Sequence, residues 1–407
     1  MLLFSASRED DIDIARLRIA LVNYIVARKR GEGFILTIED GGSTRDGNER
    51  RKELEEILSK FAIVADQVIE QRDRVGRYQH LAVQLVESGK AFASASHSED
   101  VASEASAKEM RKGSGYEIAI AEPSSPISFE DERLGSVQIE AHEVGSFVLL
   151  EADGSPSTLF ASACDNMADG VDFVIEEEKR LVDTARKIHI ENSLGYTQKR
   201  RYLHLPELLV GNAPITAKKL LLDGYLPDAV VNYLLLCTYQ APTRIFTMPE
   251  AVESFDSGKI YDTKKLFDIK ELAEIDREHI SRMDDRELSR IFGFADRAIG
   301  KLAKLYLGEC STIVELERRI ETVFGPAECD GEWAGEMKIV GEALKEAPFF
   351  EKFEELREYI AQKYTLDAER VHMALTLLIC GAEEGPQVEK VYEVIKPYIM
   401  EVAKCRH

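Results

Sequence analysis

The chain has 407 residues, of which 44% are hydrophobic and 31% charged, so it holds enough apolar side chains for sizeable cores, and wholesale disorder is excluded. At about 150 residues per domain, this length predicts two to four domains. The net charge of −22 argues against a general binder of nucleic acid or of anionic membranes. Since no apolar run approaches roughly 18 residues, we expect a cytoplasmic protein without membrane contact.

Strand and helix signals alternate over the first 90 residues. They predict strands at 2–4, 34–38 and 63–69, and helices from Asp11 to the basic run before Gly31, at 48–61 and at 78–88. Because helices of about 10–15 residues separate these strands, we expect a parallel α/β sheet.

The segment 93–114 interrupts this alternation. It is rich in Ser, Ala and Glu and poor in large apolar residues, which is typical of a surface helix or a mobile insert. Strands are predicted again at 116–120, 136–140 and 146–151, and a strand followed by a helix over 171–194. Helical periodicity then dominates to the end, so the predicted fold class is α/β followed by all-α.

Several phrases follow one another in the order found in bacterial glutamyl-tRNA synthetases. AsnTyr at 23–24 is followed by PheIleLeuThrIleGluAsp at 34–40 and LeuValGluSerGlyLysAlaPhe at 85–92. TyrLeuHisLeuProGluLeuLeu at 202–209 comes later, and GlyTyrLeuProAspAlaValValAsnTyrLeu at 224–234 is the most specific phrase. The chain therefore resembles this family of class I aminoacyl-tRNA synthetases along nearly its whole length.

The resemblance implies a Rossmann-type parallel sheet that is split by an α+β acceptor-stem insertion. Helical stem-contact and anticodon-binding-like domains would follow. The expected boundaries are 1–92 and 156–215 for the two halves of the Rossmann-type domain, 93–155 for the insertion, 216–295 for the stem-contact-like domain and 296–407 for the anticodon-binding-like domain.

Family members hold the phosphates of ATP with a His-Ile-Gly-His turn at a helix N-terminus. Aligned on AsnTyr, that turn corresponds to Asp13, Ile14, Ala15 and Arg16. Both histidines and the glycine are missing, and a carboxylate stands where phosphate would pass. Asp13 is then either an acidic cap of the helix or part of an altered site that binds Mg²⁺.

The second ATP segment of the family is a Lys-Met-Ser-Lys-Ser loop. It corresponds to Ile215, Thr216, Ala217, Lys218 and Lys219. The first lysine is replaced by Ile215. Lys218 stands where the second would be, either as a phosphate ligand or as an ordinary surface residue.

The glutamate pocket of the family has also changed. By the resemblance, its positions correspond in this chain to Ser7, Glu39, Thr158, Ser162 and Glu176. The resemblance places two carboxylate-binding arginines at Leu3 and Glu176, and a run of three glutamates beginning at Glu176 would repel a carboxylate substrate. Ser7 and Glu39 match family positions. Glu39 either receives the amino group of the substrate or serves as a turn device at the strand end.

No metal motif accompanies these changes. AlaSerAlaSerHis at 93–97 stands where many family members carry a Cys-x-Cys zinc motif, so zinc is not expected. The sequence also lacks CxxC and HExxH pairs. ATP and Mg²⁺ are expected only if activity is retained.

The loss of both ATP segments and both arginines predicts a catalytically inactive pseudo-synthetase with a tRNA-binding or regulatory role. Losing one contact that stabilises transition-state charge costs about 2.7–4 kcal/mol, so several losses would remove most of the acceleration. Two alternatives stay open. One is an active glutamate–tRNA ligase, or a ligase of altered substrate, with a rebuilt site; the other is a protein–protein interaction scaffold, for example one that pairs with a genuine synthetase.

Local basic clusters are the candidates for RNA contact. Their alternative interpretation is that of solvated helix ends. They consist of Arg28, Lys29 and Arg30, of Arg72 and Arg74, and of Lys199, Arg200 and Arg201.

Overall fold

The computed structural model describes residues 1–7, 11–39, 47–95, 115–211, 214–329, 331–382 and 385–402. The chain divides into two compact units, Met1–Leu220 with Val231–Asp268 and Leu221–Val230 with Ile269–His407. The first unit carries the sheets and the second is helical, which confirms the predicted fold class. The finer division into five domains stays a prediction.

Strands occur in the first unit only, as far as the described residues go. They are β1 (Leu2–Ser7), β2 (Phe34–Glu39), β3 (Gln67–Glu70), β4 (Ala91–Ala95), β5 (Tyr116–Ile120), β6 (Ile127–Asp131), β7 (Gly135–Ile139), β8 (Phe147–Leu150), β9 (Phe173–Glu177), β10 (Arg201–Leu205), β11 (Leu208–Leu209) and β12 (Lys265–Leu266). The sheets have the orders β1-β2-β3, β7-β6-β10-β9, β4-β5-β8 and β11-β12.

The pairing of β1, β2 and β3 is parallel, as predicted, and so is that of β9 with β10. Two predictions need correction. The third strand is not at 63–69 but at Gln67–Glu70, because Ala62 adopts a left-handed conformation (φ 59°) after the helix and the Ile63 N–H bonds back to Leu58 O. The start of the segment 93–114 belongs to strand β4 rather than to a surface helix, and its remainder, 96–114, lies outside the described residues.

Helices surround these sheets. Those up to residue 268 are α1 (Ile14–Arg30), α2 (Gly47–Lys60), α3 (Val75–Glu87), α4 (Ala141–Val144), α5 (Thr158–Ala168), α6 (Leu181–Ser193), α7 (Ala217–Leu222), α8 (Pro227–Leu236) and α9 (Met248–Ser254). Helix α1 packs against β1 and β9, with Leu17, Leu21 and Ile25 fully buried. It ends, as predicted, at Gly31, whose left-handed conformation (φ 64°) closes the last turn.

The second unit is a helical assembly with its own apolar core. Its helices after residue 268 are α10 (Ile269–Arg282), α11 (Asp285–Ile291), α12 (Arg297–Leu305), α13 (Ile313–Phe324), α14 (Ala334–Glu346), α15 (Phe353–Tyr364), α16 (Ala368–Cys380), α17 (Val388–Ile395) and α18 (Ile399–Val402). Leu302, Leu316, Val340, Leu375 and Val391 are fully buried in this core. None of the described helices is long and apolar enough to span a membrane.

Candidate functional site

The predicted site lies where parallel strands end beside the start of α1. Ser7 and Glu39 are register partners at the carboxyl ends of β1 and β2, and Glu176 lies one residue before the end of β9. Ligands of open α/β sheets bind outside the carboxyl ends of the strands. The fold therefore places these three sequence-predicted positions at the carboxyl ends of parallel strands in two sheets, where a ligand would be expected.

Oxygen atoms of the chain itself cap the N-terminus of α1. Asp13 Oδ1 accepts a hydrogen bond from the Arg16 amide at 2.8 Å, and Ile215 O accepts one from the Ile14 amide at 3.0 Å. The first amides of a helix are the groups that bind phosphate at such sites. Asp13 is thus the helix cap that the sequence offered as one of its two interpretations, and two of these amides are already occupied.

The two degenerate ATP segments are joined to each other. The Ala217 amide donates to Ile12 O at 2.8 Å, and Asp13 and Thr216 form an antiparallel bridge. Together with the bond from Ile14 to Ile215, these contacts fasten the start of α7 to the start of α1. The second segment is therefore held against the first by backbone hydrogen bonds.

Lys218 points to a carboxylate of the chain. Its Nζ lies 3.0 Å from Glu53 Oε1, and Arg50 contacts the other oxygen of Glu53 at 2.7 Å. These two hydrogen bonds hold the pKa of Glu53 below its ordinary value. The Lys218 side chain is half exposed, which agrees with the surface interpretation. Lys219 is exposed as well, and its amide bonds to Thr216 Oγ1 at 3.1 Å.

The Mg²⁺ alternative does not fit the carboxylates that the structure describes here. Asp11 lies 3.4 Å from Arg50, and Asp13 is engaged as the helix cap. No cluster of three or more His, Cys, Asp or Glu side chains suited to a metal ion occurs in the described ranges. We therefore derive no step through Mg²⁺.

An arginine occupies the middle of the candidate site. The Arg16 guanidinium donates to Ser5 O and lies 3.9 Å from Glu39 Oε1. Its charge also acts on Glu176. Arg16 corresponds to the last residue of the family's first ATP motif. In this protein its guanidinium lies near the carboxylates of both Glu39 and Glu176.

The run of three glutamates is neutralised by cations that the sequence analysis did not connect with it. Glu176 lies 3.2 Å from Lys187 and 3.9 Å from Arg180. Burial alone would raise the pKa of Glu176, but the charges of Lys187, Arg180 and Arg16 hold it below its ordinary value. The expectation that this carboxylate acts as a bare repulsive charge is therefore wrong.

The next two carboxylates of the run are paired in the same way. Glu177 lies 2.7 Å from Lys179 and 3.4 Å from the fully buried Arg18. Glu178 is paired with Arg133. No local signal could have revealed the pair of Arg18 with Glu177, because 159 positions separate its two members in the sequence.

A buried polar network lies beside Glu176 and was missed by the sequence analysis. His204, the register partner of Glu176, has its Nδ1 2.7 Å from Asp131 Oδ2 and its Nε2 2.9 Å from Thr184 Oγ1. Burial would raise the pKa of Asp131, but hydrogen bonds from His204 and from two backbone amides hold it below its ordinary value. With no exposed side-chain surface on His204 or Asp131, this network supports the site rather than reaching a ligand.

The remaining pocket positions lie on α5. Thr158 is exposed, Ser162 is half-buried, and a spacing of four residues places both on one face of the helix. The residue before them, Ser157, caps the helix by accepting the Phe160 amide at 3.3 Å.

Most of the basic RNA-contact candidates are engaged within the protein. Arg28 pairs with Asp66, Arg72 with Glu70 and Arg74 with Asp165 and Asp169, at 2.7–2.9 Å. Arg200 is buried against Glu191 and cannot reach a nucleic acid. Lys199 is exposed. Lys29 and Arg30 meet Arg201 around one cavity, which is described below.

Comparison with known proteins agrees with this architecture. The family model of the catalytic domain of class I tRNA synthetases for E and Q matches residues 11–121. Glutamate–tRNA ligase 2 of Sulfurovum sp. is 38% identical over 427 residues, which cover 99% of this chain and all of the relative. The enzyme of the same name from Sulfurimonas denitrificans is 32% identical over 99% of the chain and 100% of its own length.

A solved structure shows the same fold. The crystal structure of a glutamate tRNA ligase from Elizabethkingia meningosepticum, in complex with its amino acid, superposes with a TM-score of 0.77. The match covers 98% of this chain and 97% of that one at 19% identity. Together with the full-length relatives, it shows that this chain belongs to the glutamate–tRNA ligase family of class I aminoacyl-tRNA synthetases.

Proposed function

We propose that this protein is a tRNA-binding member of the family that does not activate glutamate. The observation that carries the proposal is the N-terminus of α1, where Asp13 and Ile215 supply the oxygen atoms that ATP phosphates would supply in a working enzyme. For ATP to bind there, both contacts would have to break, and the incoming polyanion would meet the Asp13 carboxylate.

The pocket for the amino acid supports the same conclusion. Glutamate recognition needs a guanidinium that pairs with the carboxylate of the substrate. Here Leu3 and Glu176 stand at the positions where the family has such arginines. Two arginines that the structure describes lie beside these positions: Arg16 is bound to Ser5 O and close to Glu39, and Arg180 is paired with Asp183 and Glu176.

Binding of tRNA is supported by the extent of the likeness. Relatives named glutamate–tRNA ligases align with 98–100% of the chain, including the helical second unit. The exposed Lys199 and Arg201 are the candidates for phosphate contact on the first unit. A cytoplasmic location and a protein partner, such as a genuine synthetase, remain expectations of this proposal.

An active glutamate–tRNA ligase is the second candidate function. The 38% identity to a relative of that name over its entire length favours it. In that case ATP would have to be held by residues other than those of the two degenerate segments.

The test combines two measurements on the full-length protein. Filter binding of total tRNA from the source organism should be saturable and fall by about 100-fold between about 50 and 200 mM salt, because phosphate contacts release counterions. Charging of the same tRNA with labelled glutamate, ATP and Mg²⁺ should stay at background. Charging above background establishes the second candidate, and loss of all tRNA binding at low salt contradicts both.

A further inference from the structure

A concave site lies at the amino ends of β9 and β10. A cavity of about 570 Å³ opens beside Phe173 and Arg201, the first residues of β9 and β10, and next to the last turn of α1. This volume lies in the range of about 300–1,000 Å³ that is usual for small-molecule sites. No local pattern in the sequence indicates this cavity, because its walls come from five distant segments of the chain.

The charge of the cavity is opposite to that of the protein. The charged residues of its wall are Lys29, Arg30, Arg201, Lys259, Glu132 and Asp256. Four cations thus line the cavity beside two carboxylates, whereas the chain as a whole carries 52 basic and 74 acidic residues. Two further carboxylates, Glu32 and Asp172, pair with Arg30 and with the Met1 amino group, so the least neutralised cations of the wall, Arg201 and Lys259, are the ones that would attract an anion.

The cations of this wall differ in how far the chain itself engages them. Arg30 bonds to Asp172 and Glu32 through Nη2, while its Nη1 is buried and lacks a hydrogen-bond partner among the described residues. Arg201 lies 3.5 Å from Glu132 and 3.8 Å from Asp172, which is too far for strong hydrogen bonds. Lys259 is exposed, and the described part of the chain offers it no ion pair.

The two guanidinium groups are held in place by an aromatic ring. Arg30 and Arg201 both lie over Phe173, at 5.3 and 4.8 Å from its centroid. Half of the Arg201 side chain is exposed, so the guanidinium face away from Phe173 can stack on a planar ring. Lys29 is fixed differently: its Nζ donates to Glu253 O and Phe255 O at the end of α9.

From these observations we propose that the cavity binds the phosphate group of a nucleotide, with Arg201 and Lys259 as its ligands and the base stacked on Arg201. Arginine forks match phosphate oxygens, and both of these side chains are open to an incoming anion. The nucleotide is either a free mononucleotide or one residue of an RNA strand. This site is separate from the ATP site of the family, and it shares Arg201 with the tRNA contact proposed above, so binding of the mononucleotide is the outcome that stands apart from that proposal.

The experiment is a calorimetric titration of the full-length protein at about 50 mM salt. Adenosine 5′-monophosphate, adenosine and a six-nucleotide RNA are the probes. The double variant R201Q/K259Q should weaken binding of the phosphate-bearing probe by at least about tenfold, the loss expected for one good charged contact. The matched control is R282Q, which changes a well-exposed arginine in the second unit and should leave binding unchanged.

Each outcome decides the proposal. Binding of the mononucleotide that R201Q/K259Q weakens supports a free nucleotide as ligand, and binding of the RNA alone with the same loss supports an RNA strand. Adenosine should not compete. The proposal is overturned if neither phosphate-bearing probe binds, if adenosine competes as well as the monophosphate, or if a double variant with unchanged melting temperature binds like the wild type. None of these results depends on whether the protein charges tRNA.

Discussion

The two ends of the parallel strands differ in how their charges are used. At the carboxyl ends, Arg16, Glu176 and Lys218 each contact an oppositely charged group of the chain, and Asp13 caps α1. At the amino ends, Arg30 is also paired, with Glu32 and Asp172, and only its buried Nη1 has no acceptor among the described residues. Arg201 is half exposed and has only long contacts, at 3.5 Å with Glu132 and 3.8 Å with Asp172. The carboxyl ends therefore hold their charges in internal pairs, whereas the amino ends present one half-exposed arginine to solvent.

If the ion pairs near the carboxyl ends of the strands stabilise the fold, removing one member of the buried pair of Asp131 and His204 should lower the stability of the protein strongly. We expect Asp131→Ala to lower the free energy of unfolding by about 3–5 kcal/mol, because His204 and three backbone amides lose their acceptor. Urea denaturation followed by circular dichroism measures this loss. Thr184→Val, which removes only the contact with His204 Nε2, should cost about 1 kcal/mol, and an equal cost for both variants would contradict the structural role.

A buried carboxyl group of the second unit, Asp276, contrasts with the paired carboxylates of the first unit, because no described cation lies beside it to stabilise the ionised form. Asp276 accepts the Leu226 amide at 2.9 Å through Oδ1, while Oδ2 is buried and has no hydrogen-bond partner within the described residues. Burial raises the pKa of Asp276 to about 8, and the nearby charge of Glu315 adds to the shift. The folded protein therefore holds this proton at pH values where the unfolded chain has already lost it.

Because the folded protein binds the Asp276 proton more tightly than the unfolded chain does, the stability that the protonated group provides is complete below about pH 4 and is lost as pH rises to about 8. Asp276→Asn keeps the acceptor for Leu226 without titrating, so we expect it to stabilise the protein by about 2 kcal/mol at pH 8 and by little at pH 4. Thermal melts across this range test it, with the exposed Glu271→Gln as control. A gain that does not change with pH would show that Asp276 is ionised in the folded protein.

The cap of α1 should contribute moderately. Asp13→Ala removes the acceptor of the Arg16 amide and should destabilise the protein by about 1 kcal/mol, whereas Asp13→Asn should cost only a few tenths. Melting temperatures of the two variants give the comparison. An Asp13→Ala protein that gains ATP-dependent charging without losing stability would indicate that the carboxylate blocks a site that is otherwise intact.

Lys218 should have the smallest effect. Its pair with Glu53 is exposed to solvent, so Lys218→Ala should leave the melting temperature nearly unchanged. It should leave tRNA binding unchanged as well. A large loss of tRNA binding or of charging in this variant would return Lys218 to the phosphate-binding role that the resemblance implies.

The features that sequence could predict are those set by neighbouring residues. The parallel α/β start, the end of α1 at Gly31 and the cap by Asp13 all depend on local patterns, and the structure contains them. Strand β6 was missed although Ile127 and Phe129 alternate with exposed residues, a pattern that indicates a half-buried strand. The basic run at the start of β10 shows what a local pattern cannot predict. Arg200 and Arg201 are adjacent, yet Arg200 is buried and Arg201 is exposed.

What sequence could not predict are pairings between distant segments. The neutralisation of Glu176 by Lys187 and Arg16, and the meeting of Arg30 and Arg201 around Phe173, depend on how strands and helices pack. The run of glutamates beginning at Glu176 therefore suggested repulsion of a carboxylate substrate, whereas the fold pairs each of these glutamates with a cation. For the same reason, the cavity at the amino ends has no signature in any one stretch of the chain.

The most direct test of the central claim is a calorimetric titration of ATP with Mg²⁺ on the R201Q/K259Q variant, whose cavity at the amino ends binds nucleotide weakly. Glutamate is present, and tRNA is added at a concentration that saturates this variant. Because the chain's own oxygen atoms cap the N-terminus of α1, we expect no saturable binding up to about 1 mM, the upper end of usual substrate affinities. Saturable ATP binding in the micromolar range would contradict the account and restore the protein to the working ligases of its family.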